Sequence, residues 1–256
     1  MGNGEHIAGQ PLRAVGSSAG TGTSLEQIRR RRDPRDHAQL QRQVRGRVNP
    51  RRHVATDTLL EVVPDGGALR RLTALAESID GGSPEHSRRV GRAAEAVAAR
   101  MGLDPHFVGL IRDAAPLHDV GKLEIPMAIL DKPGPLTTRE RIAMQRHAEA
   151  GEAICRSAGA DPALRLAAHI ARSHHERWDG RGYPDGLSFD RIPLAARIVA
   201  VVDVYDALVA ERPYKGAWPV EKALEFLEDN AGTQFDPDVV AAFLTLHARG
   251  ELGTIA

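Results

Sequence analysis

From about Thr56 onward, apolar residues recur every three or four positions, the spacing that places side chains on one face of a helix. The first such stripe consists of Leu69, Leu72, Leu75, Ala76 and Ile79. A second follows the helix-ending segment Asp80-Gly81-Gly82 and consists of Val90, Ala93, Ala94, Val97 and Met101. Ser83 and Pro84 suit the N-cap and first turn of this second helix, which puts His86 in its first turn.

Helix-start signals then divide the rest of the chain. An Asp-Pro pair, which combines an N-cap with a first-turn proline, occurs at residues 104–105, 161–162 and 236–237. The first predicts a helix that ends at His118-Asp119, with Gly121 in the turn after it, and the second predicts a helix that leads to His174-His175. Thr137 and Glu140 form a capping box that opens a helix carrying His147.

The apolar run over residues 198–208 is ambiguous, because its β-branched residues suit a buried strand. Its length and alanine content favour a buried helix, and two more helices are predicted at about 219–230 and 237–248. Since no segment gives a strong strand signal, the sequence predicts an all-α fold, a compact helical bundle over residues 56–256.

Charge separates the N-terminal segment from this bundle. Residues 1–55 hold 11 arginines and 4 acidic residues, a net charge of +7, whereas the whole chain is neutral. We predict a disordered or weakly helical basic tail there, since its first 24 residues are rich in Gly and Ser. The Arg29–Arg32 run could touch nucleic acid or an acidic partner. No aromatic residue interleaves with these arginines to stack on bases, so a solvated tail is favoured and nucleic-acid binding is not expected.

One cysteine, Cys155, excludes an intrachain disulfide and fits a reducing cytoplasm. No apolar run approaches the roughly 18 residues of a membrane span, and no secretory signal is recognisable. We therefore expect a cytoplasmic protein without membrane segments.

Candidate chemistry centres on the dipeptide His118-Asp119. Alone, such a pair is more often two ordinary polar residues at a helix end. Other His and Asp residues accompany it at intervals of roughly one helix plus one loop, so each can come from a different helix of one bundle and face its core. These residues are His86, His147, His174, His175 and Asp203.

This set suits two divalent metal ions that act on a phosphodiester. Asp119 would bridge them, because a carboxylate has two oxygens to share. One ion would take His86, His118 and Asp203, and the other would take His147, His174 and His175. Lys122 would offer a cation to a phosphate, and Arg212 and Lys215 suit contact with a second phosphate. Residues 179–186, after His174-His175, are mostly Gly, Asp and Pro and predict a loop. In and beside this loop, Tyr183 and Trp178 either pin it to the core or contact a ligand.

Several stretches together resemble the HD-GYP domain, a branch of the HD phosphohydrolases, over about residues 66–245. The most specific is the run from His174 to Leu187, which contains Gly182-Tyr183-Pro184. The other matching stretches are residues 86–90, 117–122, His147, 203–208 and 212–215.

The resemblance implies an all-helical fold with a di- or trinuclear centre, usually of iron or manganese, and hydrolysis of cyclic di-GMP to the linear dinucleotide pGpG and GMP. It also implies that Lys122, Arg212 and Lys215 contact the ligand. Family members with a third metal have a Glu four residues before the first His, where this chain has Gly82. We therefore expect two ions, and Asp119 and Lys122 as the catalytic residues.

Three alternatives remain open at the level of sequence. The chain could be a cyclic-dinucleotide sensor or a module that binds partners such as GGDEF-type cyclases or an upstream regulator. Its substrate could be another cyclic dinucleotide or a different phosphate ester. An iron-dependent oxygenase on the same scaffold is a further possibility, against which the loop at 174–187 argues.

Overall fold

The structure, a computed structural model, describes residues 67–79, 85–211 and 216–252, all within one compact unit. These residues form ten α-helices and three short 3₁₀ segments, with no strand among them. The helices are α1 (Gly67–Ile79), α2 (Glu85–Arg100), α3 (Pro105–Ala114), α4 (Met127–Leu130), α5 (Thr138–Gln145), α6 (His147–Ser157), α7 (Pro162–Ser173), α8 (Leu194–Val209), α9 (Val220–Asp229) and α10 (Pro237–Ala248). The 3₁₀ segments are Ala115–Leu117, Val120–Glu124 and Phe189–Arg191. The all-α prediction is thus confirmed for the described residues.

Side-chain caps begin several of these helices where the sequence predicts them. The carboxylates of Asp104, Asp161 and Asp236 each accept a hydrogen bond from a first-turn backbone N–H of α3, α7 and α10. Thr137 and Glu140 make the reciprocal capping box of α5. These bonds satisfy N–H groups that have no partner within the helix.

The apolar faces of the helices meet in one core. Helix α7 packs between α6, α3 and α8, and α8 also contacts α2, α9 and α10. The run at 198–208 is a buried helix, as predicted, and the side chains of Ile198, Val201 and Val202 have no exposed surface. Because α8 is covered by neighbours on several sides, its apolar residues are not confined to one stripe.

Two helix boundaries differ from the prediction, and both lie beside candidate ligands. Helix α3 ends at Ala114 rather than at His118, because Pro116 lacks a backbone N–H and cannot continue an α-helix. His147 does not lie inside α5 but begins α6, after a tighter turn in which the Arg146 N–H bonds to the Ala143 carbonyl, 3.2 Å away. Neither break changes the predicted fold, but each places a histidine at the junction of two helical segments.

Several predictions lie outside the described residues. These are the basic tail at 1–55, the domain start near Thr56, the Ser83-Pro84 cap, and the residues Gly82, Arg212 and Lys215. Among the described helices, none has both the length and the apolar character that crossing a membrane requires.

We expect Phe243→Ala to lower the free energy of unfolding by about 3–5 kcal/mol, because truncating a large buried ring loses its transfer energy and leaves a cavity. Phe243 has no exposed surface and its ring lies 4.9 Å from that of Tyr205. Urea unfolding followed by circular dichroism measures the change. Thr245→Ala is the control, at a half-buried residue of the same helix whose hydroxyl donates only to the Ala241 oxygen one turn earlier, with an expected effect within about 0.5 kcal/mol. Equal effects at the two positions would contradict this account of the core.

Candidate metal centre

Seven predicted ligands meet at the centre of the bundle in two groups. Asp119, His147, His174 and His175 form one group, in which one ligand atom from each residue lies within 4.8 Å of those of the others. The same distance holds within the second group, which consists of His86, His118 and Asp203. These groups come from five separate stretches of the chain, so the helical packing alone brings them together.

Asp119 lies between the two groups and turns one carboxylate oxygen toward each. Its Oδ1 is 3.3 Å from His147 Nε2 and 3.7 Å from His174 Nε2. Its Oδ2 is 3.5 Å from His118 Nε2 and 2.5 Å from Lys122 Nζ. In the second group, Asp203 Oδ1 lies 3.4 Å from His86 Nε2 and 3.6 Å from His118 Nε2. A carboxylate placed in this way is able to bridge two cations.

Three of the imidazoles are oriented by backbone carbonyl groups one turn earlier in the chain. His118 Nδ1 lies 2.9 Å from the Ala115 oxygen, His147 Nδ1 lies 2.7 Å from the Met144 oxygen, and His174 Nδ1 lies 3.0 Å from the Ala171 oxygen. A carbonyl only accepts hydrogen bonds, so each Nδ1 must carry the proton. In the neutral form of each ring, the unprotonated nitrogen is then Nε2, which faces the site.

Several buried atoms that face the site have no hydrogen-bond partner among the described residues, as expected of atoms that bind a metal ion. Buried side-chain atoms without a hydrogen-bond partner in the described part of the chain include His118 Nε2, His147 Nε2, His174 Nε2 and Asp119 Oδ1. Buried polar atoms are normally satisfied, since leaving one unpaired costs about 1–3 kcal/mol. Four such atoms, distributed over the two groups, therefore fit bound cations, and an imidazole-rich set with carboxylates suits Fe, Mn or Zn better than Ca or Mg.

The pKa shifts describe a buried site that carries negative charge. Burial alone would raise the pKa of Asp119, but Lys122 and His118 outweigh it and hold that pKa well below its ordinary value. The pKa of Asp203 is likewise well below its ordinary value, because His118 and His86 outweigh the effect of burial. Burial lowers the pKa of His147 to about 4, so this imidazole is neutral near pH 7 and has a lone pair to donate.

A buried carboxylate that the sequence analysis did not single out supports His86 from behind. Asp206 Oδ2 lies 2.5 Å from His86 Nδ1, and Arg89 holds both Asp206 oxygens through Nε at 2.6 Å and Nη2 at 2.9 Å. A carboxylate behind a metal-binding histidine fixes its tautomer and ring orientation. The i, i+3 spacing of Asp203 with Asp206, and of His86 with Arg89, is the signal that could have indicated this pair.

Gly121 allows the segment that carries Asp119 to approach α6. A Cβ at this position would overlap with the carbonyl oxygen of His147 and lie 2.8 Å from the carbonyl carbon. On the facing side, a Cβ on Gly151 would lie 2.9 Å from the Ala171 Cβ. The sequence analysis assigned Gly121 to a turn; its φ is not positive, and the close approach of two backbones is what requires glycine here.

The loop after α7 folds back over the histidines. Glu176, which is buried, accepts hydrogen bonds from the backbone N–H groups of Asp185 at 2.7 Å and Leu187 at 3.1 Å. Gly182 packs where a Cβ would lie 2.6 Å from the His175 carbonyl oxygen. The Tyr183 ring stacks on that of His175, with centroids 4.8 Å apart. The loop thus covers one side of the first ligand group with an aromatic ring.

A cavity of about 280 Å³ adjoins the metal-ligand groups. His174, His175 and Asp203 line it on one side, and Tyr183, Arg181 and Gln234 are among the residues on the others. Since this cavity touches ligands of both groups, a molecule bound in it would reach the metal centre. Trp178, the other aromatic residue of the loop, contacts Phe189 and Arg197 instead and serves to pin the loop.

Comparisons with known proteins agree with this site. The HD domain family matches residues 71–239, which is more than half of the chain, so the chain belongs to this family. The resemblance to the HD-GYP branch is confirmed as well. A solved structure described as an HD-GYP-type protein from Bdellovibrio bacteriovorus, Bd1817, has a TM-score of 0.52 at 20% identity and covers 77% of this chain and 62% of its own, which supports the fold.

Curated relatives carry names that refer to cyclic dinucleotides. The cyclic di-GMP phosphodiesterase response regulator RpfG of Xanthomonas campestris is 46% identical over 183 residues, which are 72% of this chain and 48% of the relative. The 3′3′-cGAMP-specific phosphodiesterase 2 of Vibrio cholerae is 42% identical over 173 residues, 66% of this chain and 33% of the relative. The chain thus spans half or less of the length of these relatives.

We expect Asp206→Ala to weaken metal binding by about 10–100-fold, the range found when an outer carboxylate behind a ligating histidine is removed. Titration of metal-free protein with Mn(II) in a calorimeter measures the affinity. Asp206→Asn keeps an acceptor for the His86 Nδ1–H and should fall between Asp206→Ala and the unmodified protein. Asp229→Ala, at an exposed acid of α9, is the control. An unchanged affinity in Asp206→Ala would contradict the positioning role.

Proposed function

We propose that this chain is a phosphodiesterase that hydrolyses cyclic di-GMP to pGpG, to GMP or to both, with two divalent metal ions, iron or manganese. The observation that supports it most is the shared position of Asp119 between two ligand groups, next to a cavity that reaches both. The family membership and the names of the curated relatives point to the same class of substrate.

The proposed ligands divide as the two groups do. His86, His118 and Asp203 would hold one ion, His147, His174 and His175 the other, and Asp119 would contribute to both. Paired divalent ions supply a hydroxide nucleophile near neutral pH and neutralise phosphate oxygens as charge develops. The choice of iron or manganese follows the HD-GYP resemblance, since imidazole and carboxylate ligands alone do not separate these metals from zinc.

Lys122 is the proposed cation for a substrate phosphate. Its ammonium group lies at the edge of the ligand set, 2.5 Å from Asp119 Oδ2, and its side chain is partly exposed. A cation there would stabilise charge on a phosphate or on the leaving oxygen. Arg212 and Lys215 fall in the connection from α8, which carries Asp203, to α9, and we assign them to the second phosphate.

Tyr183 is the proposed contact for the body of the ligand. Its ring forms part of the cavity wall and is held by stacking on His175 and by the backbone N–H of Tyr183, which donates to the His175 oxygen at 3.3 Å. An aromatic ring fixed in this way is able to stack on a base or sugar without a large entropic cost.

The enzyme would act in the cytoplasm, where GGDEF-type cyclases are candidate partners.

3′3′-cGAMP is the second candidate substrate. The relative from Vibrio cholerae that is named for this molecule supports it. Since the two cyclic dinucleotides share their phosphodiester linkage and differ in one base, the metal centre serves either, and selectivity must come from groups that contact the bases.

Our first experiment is turnover of cyclic di-GMP by protein reconstituted anaerobically with Fe(II) or Mn(II), with products separated by chromatography. We expect metal-dependent formation of pGpG and GMP, and a loss in Asp119→Ala larger than the about 10–100-fold cost of an outer-shell change. His106→Ala, at an exposed histidine of α3 that belongs to neither group, is the matched control. Full turnover by metal-free Asp119→Ala would refute the proposal, and binding without cleavage by metallated protein would favour a sensor.

We expect Lys122→Met to keep its metal content but to lower kcat for cyclic di-GMP by about 100-fold or more, the typical cost of removing one group that stabilises developing charge. Methionine keeps most of the aliphatic stem, so the change isolates the ammonium charge. Metal analysis and steady-state kinetics on the same preparation separate the two effects. Loss of metal together with activity would assign Lys122 to the structure of the centre instead.

A further inference from the structure

Gln234 is one of the residues that line the cavity, and it lies in a turn that is fixed by backbone contacts. It lies between α9 and α10, and its N–H donates to the Asn230 oxygen at 3.0 Å. Its own carbonyl oxygen accepts from the Trp178 N–H at 3.1 Å, which joins this turn to the loop that covers the histidines. Because these bonds are made by the backbone, a change of side chain at this position leaves them in place.

The amide of Gln234 has a defined orientation. Arg177 Nη1 donates to Gln234 Oε1 at 3.0 Å. A guanidinium group is only a donor, so the oxygen rather than the nitrogen must face it. Arg177 is held in turn by Asp179, through Nε at 3.1 Å and Nη2 at 2.9 Å. The amide therefore cannot flip without losing this bond, and its NH₂ is the group that remains to meet a ligand.

A donor at this place distinguishes the purine bases. Both purines carry an acceptor at N7, but at position 6 guanine carries the acceptor O6 and adenine carries an amino donor, so a donor that faces position 6 separates them. A donor that meets O6 forms a hydrogen bond, and the same donor that meets the adenine amino group leaves two donors facing each other. The cavity is continuous with His174, His175 and Asp203, so a dinucleotide whose phosphate reaches the metal ligands would place a base within it.

We propose that Gln234, oriented by Arg177, donates from its amide nitrogen to O6 of a guanine base of the bound cyclic dinucleotide and makes the site prefer guanine over adenine. The inference rests on the proposed function, because it takes the cavity as the place of the base. It assigns Gln234 to substrate selection and gives it no part in the cleavage of the phosphodiester.

The test compares equilibrium dissociation constants for phosphorothioate analogues of cyclic di-GMP and cyclic di-AMP, which resist hydrolysis, on Mn(II)-loaded protein. The measured quantity is the ratio of the two constants, in which a general effect of added charge on anionic ligands cancels. Gln234→Glu keeps an acceptor for Arg177 but offers oxygen in place of NH₂, and Gln234→Met keeps the length without a donor. Thr233→Ala, whose hydroxyl donates to the Asn230 oxygen on an exposed part of the same turn, is the control.

We expect a preference for guanine in the unmodified protein, and a fall of the preference by about tenfold or more in Gln234→Glu, the scale of one specific base contact. Gln234→Met should lower it as well, and Thr233→Ala should leave it unchanged. A ratio that stays within about twofold of the unmodified protein in both Gln234 variants would overturn the inference. So would a variant with normal circular dichroism that weakens both ligands equally.

A parallel turnover assay separates the two proposals. Guanine-selective binding that depends on Gln234, without cleavage of cyclic di-GMP, would support this inference and refute the hydrolase. Cleavage with equal binding of both analogues would support the hydrolase and refute the inference. Failure of the unmodified protein to bind either analogue would refute both.

Discussion

The site depends on hydrogen bonds that join an imidazole Nδ1 to a backbone carbonyl one turn earlier. His118, His147 and His174 each make this bond, and each stands at a point where one helical segment ends. The Ala115 oxygen also accepts the His118 N–H at 3.1 Å, and because a carbonyl oxygen has two lone pairs it is able to hold the ring as well. With the Nδ1 proton held in this way, the neutral form of each ring turns an unprotonated Nε2 toward Asp119 or Asp203.

The orientation of these rings matters because the carboxylates that they face are largely buried. The carboxylates of Asp119 and Asp203 lie in a poorly hydrated centre, and their pKa values are held low by the cations and imidazoles around them. A buried negative charge is costly unless it is paired. Gly121 and Gly182 determine how closely the charged segments approach, since a Cβ at either position would collide with the backbone of a ligand-bearing segment. Close packing of the backbone thus largely buries the carboxylates of Asp119 and Asp203, and cations near them offset the cost of burying their charge.

Much of the fold follows from local patterns, and the parts that do not have specific causes. Helical periodicity and Asp-Pro caps locate α3, α7 and α10, because both signals lie within a few residues of one another. The early end of α3 was predictable from Pro116. The restart of the chain at His147 had no comparable local signal. In the sequence, only the i, i+3 spacing from Asp203 distinguishes Asp206, and its role follows from the contact with His86, 120 residues away. Contacts at that separation depend on helix packing, which periodicity does not specify.

Arginine is used twice behind the site for the same physical reason. Arg89 donates to both oxygens of Asp206, which orients His86. Arg177 donates to both oxygens of Asp179 and also to the amide oxygen of Gln234. A planar guanidinium is always charged, only donates, and meets a carboxylate through two parallel bonds. A lysine in either place would supply charge without direction. In each case the neighbouring polar group is held in one orientation. Asp206 fixes the ring of His86 through Nδ1, and Arg177 fixes the amide of Gln234 through its oxygen. Both side chains are thus held in position by contacts within the protein itself.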